Sequence, residues 1–78
     1  MNFKSAMVNL IGEEGFTGAA IFEGLEEILK VEGVNVFMYG KTSTKPHRKM
    51  GHITIIDDDV DKLKEKVDFV KQTIKVKA

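Results

Sequence analysis

The 78-residue chain contains no cysteine, which excludes disulfide cross-links and any metal site built on thiolates. A reducing, cytoplasmic setting is the expectation that goes with that absence. No apolar run approaches the roughly 18 residues of a membrane span, so no membrane partner is expected. Met1-Asn2-Phe3-Lys4-Ser5 carries a lysine but no apolar block of the length a secretory leader needs. An excess of one charge is missing too. The 12 Lys and Arg residues balance 12 Asp and Glu, whereas a general nucleic-acid binder usually has a basic surplus. Internal repeats and low-complexity linkers are absent as well. What is there has the apolar and charged composition of an ordinary globular protein. Residues 1–78 fit one small domain, whose modest core leaves little margin over the entropy of ordering.

The hydrophobic pattern gives five elements. Ala6-Met7-Val8-Asn9-Leu10-Ile11-Gly12 reads as a buried strand ended by its glycine. After a glycine-punctuated acidic loop, Ile21, Leu25, Ile28 and Leu29 fall at helical spacing, predicting a helix from about Ala19 to Lys30. Gly24 weakens that helix and Gly33 stops it. Val34 to Tyr39 alternates as a second strand, with Val34, Val36 and Met38 on one face and Asn35, Phe37 and Tyr39 on the other. His52 to Ile56 is a third strand, and the loop between the two makes antiparallel pairing the simplest connection. Asp57-Asp58-Asp59 offers an N-cap to a last helix with the apolar stripe Val60, Leu63, Val67, Val70 and Ile74. The order β-α-β-β-α implies an α+β fold, a small antiparallel sheet with its helices packed on one side.

One stretch of this neutral chain is not neutral. Tyr39-Gly40-Lys41 and then Lys45-Pro46-His47-Arg48-Lys49-Met50-Gly51-His52 place four cations and no acid in a loop between two strands. If the strands pair, Lys41, Arg48 and Lys49 can converge at the hairpin mouth. Arg as a fork and Lys as a point charge suit a phosphate. Lysines at a solvated hairpin tip, keeping edge strands apart, account for the same residues. The residues alone leave both readings open.

Other motifs carry less. Gly40-Lys41-Thr42 is not a phosphate-cradling P-loop, because Asn35 stands where another glycine is needed and no helix begins at the Lys-Thr. Gly12, Gly15 and Gly18 are not spaced as a dinucleotide fingerprint. His47 and His52 lack a third ligand for a metal, and His52, heading a strand, reads as a structural hydrogen-bonding residue. Thr42 and Ser43 have no evident activating partner. The chain by itself does not read as a complete enzyme.

Met7-Val8-Asn9-Leu10-Ile11-Gly12, Tyr39-Gly40-Lys41 and Arg48-Lys49-Met50-Gly51-His52-Ile53-Thr54, in this order and spacing, resemble the C-terminal domain of carboxyaminoimidazole ribonucleotide synthetase. That family is the ATPase subunit of phosphoribosylaminoimidazole carboxylase, an ATP-grasp ligase of purine biosynthesis. The resemblance covers almost the whole chain. It implies a larger enzyme with an N-terminal domain and an ATP-grasp lid, neither present here. That enzyme joins bicarbonate to aminoimidazole ribonucleotide at the expense of ATP, with magnesium accompanying ATP and carboxyphosphate as the activated form. No catalytic residue, metal or cofactor is expected on this chain. The resemblance assigns the substrate phosphate to Lys41, Arg48 and Lys49, with Lys45 and His52 in support. The expected partners are the ribonucleotide and the missing domains, and a homodimer is left open. His47 departs from the family pattern, standing where a glycine would be natural. The alternative function is a non-catalytic interaction module docking through exposed apolar surface, since both faces of the second strand carry large apolar side chains.

Overall fold

A computed structural model describes residues 3–78. Met1 and Asn2, which open the segment read above as lacking a leader-like block, lie outside the described residues. The elements run β1 (Lys4–Ile11), β2 (Gly18–Ala19), β3 (Ile21–Glu23), α1 (Leu25–Leu29), β4 (Val34–Met38), β5 (Ser43–Thr44), β6 (Lys49–Asp57), α2 (Val60–Thr73) and β7 (Lys75–Lys77).

The main sheet has the order β1-β6-β4, with both outer strands antiparallel to β6. Its alternation divides two faces. Val8, Leu10, Ile53 and Ile55 point inward and are buried with Ile28 of α1 and Leu63 and Val70 of α2. Both helices lie on this inner side, so the chain is the small α+β domain its pattern implies. The stripe read for α2 is buried at Leu63 and Val70 and half-buried at Val67, while Val60 is 44% exposed and Ile74, though buried, lies past the helix end at Thr73 with extended backbone. Asp59 caps α2, its carboxylate accepting from the Asp61 and Lys62 amides at 2.8 and 3.2 Å. No helix among the described residues is long and apolar enough to cross a membrane.

Three readings are corrected. The helix expected from about Ala19 to Lys30 is only the five residues Leu25–Leu29. Its first half is instead strand, β2 pairing with β5 and β3 with β7. Gly24 marks the break at φ +86°, where a Cβ would run into the Thr73 carbonyl. The helix can begin only after it. The third strand starts at Lys49, not His52, and runs to Asp57. Ser43 and Thr44, read as loop, form β5.

Candidate functional site

The basic segment is braced along both limbs, which is not how a free hairpin tip behaves. On the first limb, β5 pairs with β2, and the Ala20 amide donates to the Thr42 carbonyl at 3.0 Å. Thr44 is 2% exposed, the one buried polar side chain among the described residues. The second limb rests on the end of β1. The Gly12 amide donates to the Arg48 carbonyl at 2.8 Å, and the Gly12 carbonyl accepts from the His47 amide at 2.9 Å. Gly12 is buried, and a Cβ there would collide with the Lys45 carbonyl and the Thr44 hydroxyl. Between the limbs, Arg48 donates its amide to Lys45 across the turn at 3.1 Å. His47 takes a left-handed φ of +67° in that turn, alone among the non-glycine residues described. This is the position where a glycine was natural on pattern. Its Nε2 lies 3.3 Å from the Glu14 carboxylate, both groups exposed.

Two of the candidate cations cross-tie the neck. The Lys41 ammonium reaches from the first limb to the Lys49 carbonyl at 3.0 Å. From the second limb Arg48 reaches back to the Ser43 carbonyl and hydroxyl in long contacts of 3.4 and 3.5 Å. Each of the two cations thus spans the limbs, and its remaining N–H donors are not hydrogen-bonded among the described residues. Lys49 takes its direction from an irregularity. The register of β1 on β6 slips between Leu10 and Ile11, so that Leu10 faces Gly51 but Ile11 faces Lys49. Met50 is the extra residue, turned into the core at 1% exposure, and Lys49 emerges opposite the outward Ile11. Bulges of this kind re-aim side chains beside functional sites. The Lys49 and Lys45 ammonium groups make no hydrogen bond or ion pair among the described residues. Lys45 lies in the turn, where its carbonyl accepts from the Arg48 amide. Lys41, Lys45, Arg48 and Lys49 have no acid between them in sequence, and the one carboxylate recorded against this turn is that of Glu14, on His47.

His52 takes a different place. It projects from the outer face of β6, stacks on Phe37 with ring centroids 4.9 Å apart, and shares a 2.9 Å hydrogen bond from Nδ1 to the Tyr39 hydroxyl. It fastens the end of β4 to β6 just where the neck begins. Gly12, Ser43 and Tyr39 were given no role in this site from the sequence, although Tyr39 opens the basic stretch and Gly12 ends the first strand motif. A glycine ending a strand and a tyrosine directly before Gly40-Lys41 were the signals available.

Comparison with known proteins adds a family context to this geometry. Residues 5–66 match the family model described as Phosphoribosylaminoimidazole carboxylase C-terminal domain. An N5-carboxyaminoimidazole ribonucleotide synthase from Aquifex aeolicus is 35% identical over 77 residues, 96% of this chain and 19% of the relative. A formate-dependent phosphoribosylglycinamide formyltransferase from Haemophilus ducreyi is 31% identical over 75 residues, with the same shares covered. The crystal structure of N5-carboxyaminoimidazole ribonucleotide synthetase from Thermotoga maritima has a TM-score of 0.88 at 47% identity, over 95% of this chain and 21% of that one. The chain spans about a fifth of the length of the curated relatives it matches.

Proposed function

This chain belongs to the phosphoribosylaminoimidazole carboxylase C-terminal domain family, and from that membership we propose that it is the phosphate-holding part of an ATP-dependent enzyme that carboxylates aminoimidazole ribonucleotide. The observation that carries the reading is the basic neck in which Lys41 and Arg48 each bridge to the opposite limb. Together with Lys49 they would grip the ribonucleotide's phosphate by charge-assisted hydrogen bonds, with Lys45 a more distant contributor. The names of the relatives support this division of labour. One relative is a carboxyaminoimidazole ribonucleotide synthase and another a phosphoribosylglycinamide formyltransferase. What those names share is the phosphoribosyl group, not the portion that reacts.

The role is positional. A phosphate fixed at the neck limits where the amine at the far end of the ribonucleotide can lie, lowering the entropic part of the barrier. ATP with magnesium would supply the activation of bicarbonate in the whole enzyme, held by residues outside this chain. His52 supports the neck through Tyr39 and takes no proton in this scheme. The N-terminal and ATP-grasp domains are the partners this reading requires, and the cytoplasm its setting.

Replacing Arg48 by Ala in the full-length enzyme that carries this domain tests it. A charged hydrogen bond contributes about 1.5–3 kcal/mol, so KM for the ribonucleotide is expected to rise about 10- to 100-fold. KM for ATP should stay within about twofold, because a uniform-binding loss at the phosphate does not touch the nucleotide site. A defect selective for ATP overturns the assignment.

A further inference from the structure

Every buried side chain among the described residues is apolar except one, Thr44, at 2% exposure. A hydroxyl taken out of water costs free energy unless a good hydrogen bond replaces those it lost. Here the replacement is poor. Thr44 Oγ1 donates to the Lys45 carbonyl at 3.5 Å, against about 2.7–2.8 Å for an ordinary hydroxyl donor. Valine has nearly the same shape, suits a strand as well and brings no hydroxyl to bury. Packing of β5 alone therefore gives no reason for a threonine at this position.

The acceptor of that hydroxyl gives one. The Lys45 carbonyl also accepts the Arg48 amide at 3.1 Å, and the Arg48 carbonyl accepts the Gly12 amide at 2.8 Å. The backbone of Arg48 is thus held on both sides. Thr44 is the one side chain among the described residues that hydrogen-bonds to the backbone of Gly12, Lys45 or Arg48. A Cβ on Gly12 would strike the Thr44 hydroxyl as well as the Lys45 carbonyl, so the two groups lie side by side against the end of β1. β5 reaches the other end of Arg48 too, where exposed Ser43 meets the guanidinium through its carbonyl and hydroxyl. Side chains alternate in direction along a strand. Ser43 accordingly holds Arg48 at its charged end, and Thr44, turned inward, at its backbone.

We propose that Thr44 is a positioning residue for the ribonucleotide phosphate: its hydroxyl sets the Lys45 carbonyl, that carbonyl sets the Arg48 amide, and the guanidinium is aimed through the backbone so fixed. Thr44 itself touches no substrate. The inference rests on the phosphate reading of Arg48 and adds the residue that gives Arg48 its direction.

In the full-length enzyme that carries this domain, Thr44→Val removes the hydroxyl and keeps the β-branch and the burial. KM for the ribonucleotide is expected to rise about 2- to 10-fold, the loss of one modest hydrogen bond. Turnover and KM for ATP should stay within about twofold, because the phosphate is held alike before and during reaction. Thr44→Ser, which keeps the hydroxyl and gives up the methyl, is expected to retain the parent KM. In the Arg48→Ala background Thr44→Val should raise KM no further, since the group it aims is gone. All variants are assayed at a temperature where circular dichroism shows them folded. A smaller rise for Thr44→Val, an equal rise in the Arg48→Ala background, or a Thr44→Ser variant as impaired as Thr44→Val overturns the proposal. Arg48→Ala alone judges the phosphate reading. If it raises KM and Thr44→Val does not, only the positioning role falls; if neither does, both fall.

Discussion

At the scale of single residues, the candidate site depends on a position with no side chain at all. Gly12 supports the second limb of the neck by two backbone hydrogen bonds and by leaving room for the Lys45 carbonyl. An added methyl has nowhere to go, since its neighbours are backbone and a buried threonine rather than the end of a flexible side chain. Gly12→Ala must therefore lift the loop from β1. Overpacking of this kind costs about 1–3 kcal/mol, which for a domain of this size lowers the melting temperature by about 4–8 °C per kcal/mol. Thermal unfolding followed by circular dichroism measures it. In the full-length enzyme the same substitution should raise KM for the ribonucleotide, because Arg48 and Lys49 lose their placement. A variant that melts early but keeps its KM would show that the neck's placement does not depend on Gly12.

At the scale of elements, what was legible in the sequence is what local rules determine. The stripe and cap of α2 need only residues within a few positions of one another, and both are present. Removing the cap by Asp59→Ala should cost about 1 kcal/mol and lower the melting temperature by about 4–8 °C. A change below 1 °C would mean that packing of Leu63 and Val70 alone fixes where the helix starts. The strands β4 and β6 were legible by alternation, and the cationic loop by composition. The segment Gly18–Glu23 was not. Ile21 and Leu25 fit a helix, but the backbone of this segment finds its partners in Ser43–Thr44 and Lys75–Lys77, far along the chain. No local propensity reports such partners. The same reason hides the seat of Gly12 under the loop, and the slip at Met50 that carries Lys49 outward. The candidate cations could be named from sequence, while the supports that hold them could not.

At the scale of the whole molecule, the chain is drawn out, 43 Å long and 19 Å across, with a radius of gyration of 13.0 Å against about 11.5 Å for a compact domain of this length. The neck lies at one end of the main sheet, and the opposite end is held by one ionic junction. Asp57 closes β6, and its carboxylate accepts from the Asp59 amide at 2.9 Å and meets the Lys66 ammonium at 2.8 Å. Lys66, on α2, also donates to the Glu32 carbonyl before β4 at 2.8 Å. Helix, central strand and the approach to the edge strand thus meet at two side chains. Lys66 first, and then the Asp59 amide, hold the Asp57 carboxyl down to about 2 from its ordinary 3.8. A carboxylate favoured in the folded state stabilises the fold above its unfolded pKa, and that contribution disappears as protons bind on the way down to the folded value. The junction is therefore at full strength above about pH 4 and is lost between about pH 4 and pH 2. Lys66→Met removes the larger cause and should leave most of the acid loss to the other carboxylates. Denaturant midpoints of the two proteins should then differ at pH 6 and converge as the pH falls through this window. The difference cancels groups common to both. A gap that stays constant from pH 6 to pH 2 would show that Lys66 contributes by packing its stem and not by holding Asp57 ionised.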